Sequence, residues 1–272
     1  MELDGPPSMK GKPYLSHSQI SLYTKCGEAY RRRYVEKDII PPGVAALRGT
    51  SVHKGAEANY DQKIHTRRDM KPDMLAEITA SVFEKTVKYE DVWLNPEEQS
   101  VGKSKVLGEA KDMATRLTML FGKQVAPKYM PKHVELEHRI ELPRSSHDLL
   151  GRIDLITEDD VIQDLKTRTK KTSPEQIHND TQLTFYALAF HNKFGRAPKA
   201  LVIDELVDAK EPTVNSVMTD RHQEDFEVLT NRINSVVKGI KAGVFTPASS
   251  GGWWCSAKWC GFHATCSHVS HR

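Results

Sequence analysis

The stretch that most restricts the fold is residues 149–167, LLGRIDLITEDDVIQDLKT, two apolar runs separated by the acidic turn Glu158-Asp159-Asp160. Short apolar runs bounded by turn residues read as strands, and so brief a connection makes them an antiparallel hairpin. A three-residue loop sets 157 opposite 161 and 154 opposite 164, and directly opposed residues share a face with Cβ atoms roughly 4.5–5.5 Å apart. Asp154 and Asp164 are thereby held against each other where side chains should be buried. Like charges so placed repel unless something compensates, and a divalent cation between them would do so. Lys166 lies two residues beyond Asp164 and shares its face. The hairpin thus offers two hard oxygen ligands suited to Mg²⁺ or Mn²⁺ with an ammonium beside them. A two-residue loop would instead put the aspartates on opposite faces.

The rest of the chain frames this hairpin. Residues 133–142, 148–156 and 160–166 read as three consecutive strands, followed by strands at 199–207 and 213–218. Upstream the period is helical. Residues 16–37 read as one helix opened by the capping box Ser16/Gln19, with Ile20, Tyr23, Tyr30 and Tyr34 at helical spacing. Further helices are expected at 45–64, 73–91 and 104–126, and the absence of strand alternation makes about 60–130 a helical insertion. Ser173 as N-cap and Pro174 at the first helical position open a helix to about residue 193, and a long helix covers 221–243. Residues 1–13, with three prolines and two glycines, read as a flexible tail before a single domain spanning 14–272, whose end, 253–272, is rich in Cys, His and Trp.

A chain of 272 residues can bury a sizeable core, and a net charge of only +3 does not by itself announce a nucleic-acid binder. No apolar run of membrane-spanning length and no signal-peptide pattern is present, so a soluble, cytoplasmic protein without membrane contact is expected. Its four cysteines are then read as reduced ligands rather than disulfides.

Two carboxylates and a lysine around a divalent ion suit phosphodiester hydrolysis. The ion would polarise the phosphate and acidify a bound water; the lysine would orient or deprotonate that water and stabilise developing negative charge. The plainer alternative makes Asp154 and Asp164 solvated strand residues and Lys166 an edge charge. Two basic runs suit phosphates: Arg31-Arg32-Arg33, interleaved with Tyr30 and Tyr34, and Arg168, Lys170 and Lys171, which directly follow the lysine strand. A charge run is also what any solvated face looks like. Gly102-Lys103-Ser104 ends like a phosphate-binding loop, but position 97 is Glu and no apolar strand precedes it.

Asp154…Asp164-Leu165-Lys166 resembles the signature of the PD-(D/E)XK nuclease superfamily, with Ile153 in place of its proline. LRGTSVHKGAE (47–57) is similar to the G-x-x-x-H-x-x-x-E segment of the RecB-type branch, QLTFYA (182–187) to its Q-x-x-x-Y helix, and CGEAYRRRYVE (26–36) to its cysteine helix. The order of these segments also matches, over about residues 14–267. The resemblance implies an α/β fold, a restriction-endonuclease-like core with a central mixed sheet flanked by helices. It implies metal ligation by His53 through a neutral ring nitrogen, by Asp154 and Asp164, and by the backbone carbonyl of Leu165. Gln182 and Tyr186 would support Lys166 and contact DNA, and Glu57 would stand near the metal. Read without the resemblance, His53 is a structural histidine, Glu57 a solvated one-turn neighbour and Tyr186 a core residue.

Cys255, Cys260 and Cys266 fall within twelve residues, and Cys26 lies far upstream. In iron–sulfur members of the branch, one N-terminal and three C-terminal cysteines hold a [4Fe–4S] cluster. This chain has that arrangement, with four residues rather than the usual two between Cys255 and Cys260. Zn²⁺ is the alternative: His263, His268 or His271 would replace Cys26, and Cys255-Cys260-Cys266-His271 resembles a CCCH finger, an RNA-binding module. The expected function is a Mg²⁺- or Mn²⁺-dependent deoxyribonuclease, an exonuclease on single-stranded ends in recombination, repair or replication, with a helicase or recombination protein as the partner to look for. A structure-specific endonuclease and a catalytically idle DNA-binding subunit are the other readings.

Overall fold

The computed structural model describes residues 12–142 and 145–270. Most of the expected tail, and His271 of the CCCH alternative, lie outside the described residues. The elements run β1 (Tyr14–Leu15), α1 (His17–Lys25), α2 (Gly27–Tyr30), α3 (Val44–Thr66), α4 (Pro72–Tyr89), α5 (Pro96–Val101), α6 (Lys103–Gln124), β2 (Pro131–Ile140), β3 (Asp148–Thr157), β4 (Val161–Arg168), α7 (Pro174–His178), α8 (Thr181–Phe194), β5 (Ala200–Val207), β6 (Thr213–Thr219) and α9 (Gln223–Lys241). This is the expected α/β class: one mixed sheet in the order β1-β3-β4-β5-β6, with β2 also on β3. No helix among the described residues is long and apolar enough to cross a membrane.

Two helical layers sandwich the sheet. On one face α1, α8 and α9 contribute Ile20, Phe185, Phe190, Leu229 and Ile233, which pack on Leu149, Ile153, Ile156, Ile162, Leu201 and Ile203 of the strands. On the other, Val52, Ala56 and Tyr60 of α3 and Ala114, Leu117 and Phe121 of α6 cover Leu155, Leu165 and Leu206. Each such large apolar side chain, fully buried, contributes about 1.5–3 kcal/mol. The mid-chain helices are therefore not an appendage, because α6 closes one side of the core. Gly55 permits that packing: a Cβ there would lie 2.4 Å from Thr79 Oγ1 of α4 and 2.9 Å from Thr118 Cγ2 of α6.

Two expected helices are broken. Residues 16–37 split at Cys26, which is extended (φ −161°, ψ 104°) and caps α2 through its sulfur, accepting from Ala29 N at 3.4 Å. A π-helical turn follows over Arg31–Val35. The helix opened by Ser173 ends at His178, and Asp180 caps a new one, its carboxylate accepting from Gln182 N at 2.7 Å and Leu183 N at 3.2 Å. Asp has the short acceptor that outcompetes helix continuation at such a position.

The central strands contain a switch of face. Leu136 and Ile140 of β2 pack towards α8, whereas Val134 packs towards α3 and α6. On β3, Ile153 faces α8 and Leu155 faces α3. Residues two apart should share a face, so both strands lose phase at the same level. The residues at the switch are Glu135 and Asp154, set opposite each other by the flanking pairs Val134↔Leu155 and Leu136↔Ile153. Glu135 carries the backbone irregularity, with φ at +47°.

Candidate active site

The hairpin has the register of a three-residue loop. Leu155 pairs with Gln163 and Ile156 with Ile162, which sets Asp154 opposite Asp164. The loop closes through Val161 N donating to Thr157 Oγ1 at 3.0 Å and through Asp160 in the left-handed region at φ +60°. Beyond Leu155 the ladder opens. At the start of β3, Asp148 and Leu149 pair with Tyr14 and Leu15 of β1 instead. Between these two partners β3 has an unzipped margin, and the Asp154 carboxylate lies in it, accepting from Leu165 N at 3.3 Å.

Four elements converge on this gap. From α3, His53 Nδ1 lies 3.4 Å from Asp154 Oδ2. Gly49, one turn earlier, lies where α3 passes β4; a Cβ on it would be 3.4 Å from Thr167 Oγ1, so the crossing is close. From β4, Lys166 Nζ donates to Asp164 Oδ1 at 2.9 Å. From α8, Gln182 Nε2 donates to Tyr186 Oη at 2.6 Å. The fourth contributor is Glu135 of β2, which sequence reading missed: its carboxylate, His53 and Asp154 each offer a ligand atom within 4.8 Å of the others. The alternating glutamates of HVELEHRIEL gave no reason to choose this one.

Burial and charge set the protonation states. Burial pushes the Asp154 carboxyl above the ordinary carboxylate range, and the Asp164 charge adds to this. The Glu135 carboxyl is raised by burial and then by Asp154. Burial, then Lys166, lowers the His53 pKa and favours the neutral imidazole that can ligate a metal. Burial also opposes the Lys166 ammonium, but Asp164 and Asp154 outweigh it and the pKa is raised. Lys166 is thus a cation in this setting, suited to stabilising charge rather than taking a proton.

The donor set fits a divalent cation. Asp164 is 1% exposed, and its Oδ2 has no hydrogen-bond partner. An orphaned buried carboxylate oxygen opposite a second carboxylate is costly unless a cation joins them.

The other singled-out residues lie around this centre. Glu57 pairs with Lys54 at 2.5 Å, and its charge reaches Glu135. His17, unremarked in the sequence, shares a 3.0 Å hydrogen bond with Thr181 Oγ1 and feels the charges of Lys166 and Asp164. Lys170 and Lys171 are exposed, while Arg168 lies 3.4 Å from the buried Glu205, which also accepts from Thr172 N at 2.9 Å and Asn215 Nδ2 at 2.8 Å. Arg31 and Arg32, expected at phosphates, are engaged within the protein. Arg31 pairs with Glu28 and Glu36. Arg32 pairs with Asp38 at 2.6 Å, donates to Thr265 Oγ1 at 2.9 Å and stacks 4.5 Å from the Phe262 ring centroid. All four cysteines line one cavity with Arg32, Phe262, His263 and His268.

Comparison with known proteins agrees with this architecture. Residues 14–267 match the family described as the PD-(D/E)XK nuclease superfamily. A crystal structure of a protein from Eubacterium rectale, provisionally named an exonuclease, superposes with a TM-score of 0.61 at 12% identity, over 97% of this chain and 93% of that one. A second structure, SSO0001, gives a TM-score of 0.36 at 13% identity over 88% of this chain and 94% of its own, too loose a match to bear on the fold. No curated protein sequence matches the chain.

Proposed function

The chain belongs to the PD-(D/E)XK nuclease superfamily, and on that basis we propose that it is a metal-dependent deoxyribonuclease acting on single-stranded ends. The observation that carries the catalytic reading is the unzipped margin of β3. There Asp154, Asp164 with its orphaned Oδ2, the neutral His53 and Lys166 face one another. Asp154, Asp164, His53 and the Leu165 carbonyl are the groups that would hold Mg²⁺ or Mn²⁺. When bound, the ion would polarise the scissile phosphate and acidify an attacking water.

The chain's own side chains take the remaining roles. Asp164 fixes the Lys166 ammonium, whose charge stabilises the negative charge that builds on the phosphoryl oxygens. Because Tyr186 Oη accepts from Gln182, its own proton is left to donate to a phosphate oxygen. Arg168, Lys170 and Lys171 follow on the lysine strand and neutralise phosphates along the substrate.

The preference for single strands is supported by a groove lined by His17, Lys25, Thr181, Arg232 and Trp254. His17 ties one end to the catalytic residues, and Lys25 lies 5.8 Å from the Trp254 centroid and 5.1 Å from that of the 63% exposed Trp253. Cations beside aromatic faces suit unpaired bases and their backbone. The exonuclease reading agrees with the name given to the Eubacterium rectale neighbour.

The cysteines support a [4Fe–4S] cluster joining the chain's two ends. Cys26 shares a cavity with Cys255, Cys260 and Cys266, as a CCCH finger does not require.

The test is degradation of end-labelled single- and double-stranded DNA, linear and circular, with Mg²⁺ or Mn²⁺. Linear single strands should be degraded and closed circles spared, and Asp164→Asn should abolish the activity while leaving the fold intact. Cleavage of closed circles would instead favour the endonuclease; no cleavage by a folded, Mn²⁺-loaded protein would leave an idle subunit. Anaerobically purified protein should contain iron and acid-labile sulfide, and Cys26→Ala should lose both. Stoichiometric zinc that survives Cys26→Ala would favour the finger.

A further inference from the structure

Glu135 belongs to none of the motifs the sequence presents, yet it stands inside the gap where they meet. We propose that Glu135 is a ligand of the catalytic divalent cation, together with His53 and Asp154. The inference rests on the nuclease reading of the same site and adds a carboxylate to it.

Geometry is the first support. Ligand atoms of His53, Glu135 and Asp154 lie within 4.8 Å of one another. Ligand atoms at about 2.0–2.2 Å around an octahedral ion span roughly 3–4 Å, and His53 Nδ1 already lies 3.4 Å from Asp154 Oδ2. The second support is the crowding of like groups. Glu135 and Asp154 stand opposite each other across β2 and β3, Asp164 stands opposite Asp154 across the hairpin, and Lys166 is the ammonium that pairs with Asp164. The other cation near Glu135, Arg152, holds its carboxylate at 3.0 Å but is 62% exposed, on the rim, where an ion pair is weak.

The third support is the paired loss of phase in β2 and β3. Counted from His133, which stacks on Phe194 of α8, alternation would send Glu135 to the α8 face; counted from Leu136, on that same face, it sends Glu135 to the α3 face. The irregular backbone at Glu135 marks this change of phase, and its carboxylate lies on the α3 side beside His53. The left-handed region is unfavourable for a glutamate, and glycine would take it at no steric cost. A carboxylate is kept where the backbone favours none. The buried Asp164 Oδ2, which has no hydrogen-bond partner in the same gap, is open to a cation from the β4 side.

The experiment is calorimetric titration of the full-length protein with Mn²⁺, backed by water-proton relaxation, for the parent, Glu135→Gln, Glu135→Gly and Arg152→Gln, each with a thermal melt. The parent should bind Mn²⁺. Glu135→Gln should weaken binding at least tenfold without lowering the melting temperature. Glu135→Gly should weaken it similarly while melting at the same temperature or higher, since it releases the unfavourable backbone. Arg152→Gln should bind as tightly as the parent, or more so. Parental affinity in Glu135→Gln would overturn the assignment alone, as would an Arg152→Gln variant weakened as much as Glu135→Gln, which would make Glu135 a salt-bridge partner. A folded parent that binds no Mn²⁺ would overturn the nuclease reading together with this one.

Discussion

Replacing Lys166 by alanine tests the site at its most strained point, in the metal-free protein. Lys166 Nζ is the hydrogen-bond partner of Asp164 Oδ1, and Oδ2 has none. Truncation leaves a carboxylate that is 1% exposed with neither oxygen satisfied, opposite Asp154. Breaking a buried pair from one side costs about 3–5 kcal/mol. The Lys166 side chain is 20% exposed, so water can partly replace it, and about 2–4 kcal/mol is the better expectation. For a chain of this size that is a fall in melting temperature of roughly 4–7 °C. The sign with pH follows from linkage. Lys166 holds down the Asp154 carboxyl, which burial and the Asp164 charge raise, so in the variant the folded-state value of Asp154 stands further above its unfolded value. The associated stability is present at low pH and lost as pH rises through the folded value. The gap between parent and variant should therefore be wide at pH 8 and narrow at pH 5. Mn²⁺ should narrow it at pH 8 by joining the carboxylates. The assay is thermal melting of both proteins at the two pH values in EDTA and then in Mn²⁺. Cleavage by the variant should fall by about 10²–10³, the scale for losing one charge-stabilising donor. A variant that melts with the parent at pH 8, or whose deficit is the same at pH 5, would show that Lys166 does not neutralise Asp164.

Three further outcomes are expected. Mn²⁺ should raise the parent's melting temperature more at pH 8 than at pH 5.5, because the raised Asp154 and Glu135 carboxyls must lose protons to bind it; equal shifts would argue against ligation there. Gly27→Ala should destabilise by about 2 kcal/mol or more and lower iron content, because a Cβ at Gly27 would meet the Phe245 and Thr246 backbone at 2.7 Å and displace the segment that leads to the cysteines; a parental melt and iron content would contradict it. Replacing Lys170 and Lys171 with alanine should lower the salt dependence of single-strand binding by about 0.7 per lysine in log–log slope, measured by fluorescence titration with Ca²⁺ in place of Mg²⁺; an unchanged slope would remove both from the interface.

The sequence by itself determined the parts that local periodicity encodes. The hairpin register was legible because a period of two and a three-residue loop leave one pairing that places Asp154 opposite Asp164. The strands at 200–207 and 213–219 and the Ser173 cap were legible for the same kind of reason, as apolar runs or short side-chain acceptors beside the backbone they serve. Motif order located His53, Gln182 and Tyr186 without showing what they touch. Tertiary structure decided the rest. Helical spacing runs through Cys26, but the chain at Thr246 accepts the Gly27 N–H at 2.8 Å and Ala248 N donates to the Cys26 sulfur at 3.4 Å, so the helix breaks to meet a segment distant in sequence. Arg32 reads in sequence as one member of a charge run, and only the fold stacks it on Phe262. Glu135 is one of several alternating glutamates until β2 and β3 lose phase together and turn it to His53. A side chain's partner is set by which surfaces meet, and that information lies in the packing of the two helical layers on the sheet rather than in any single window of sequence.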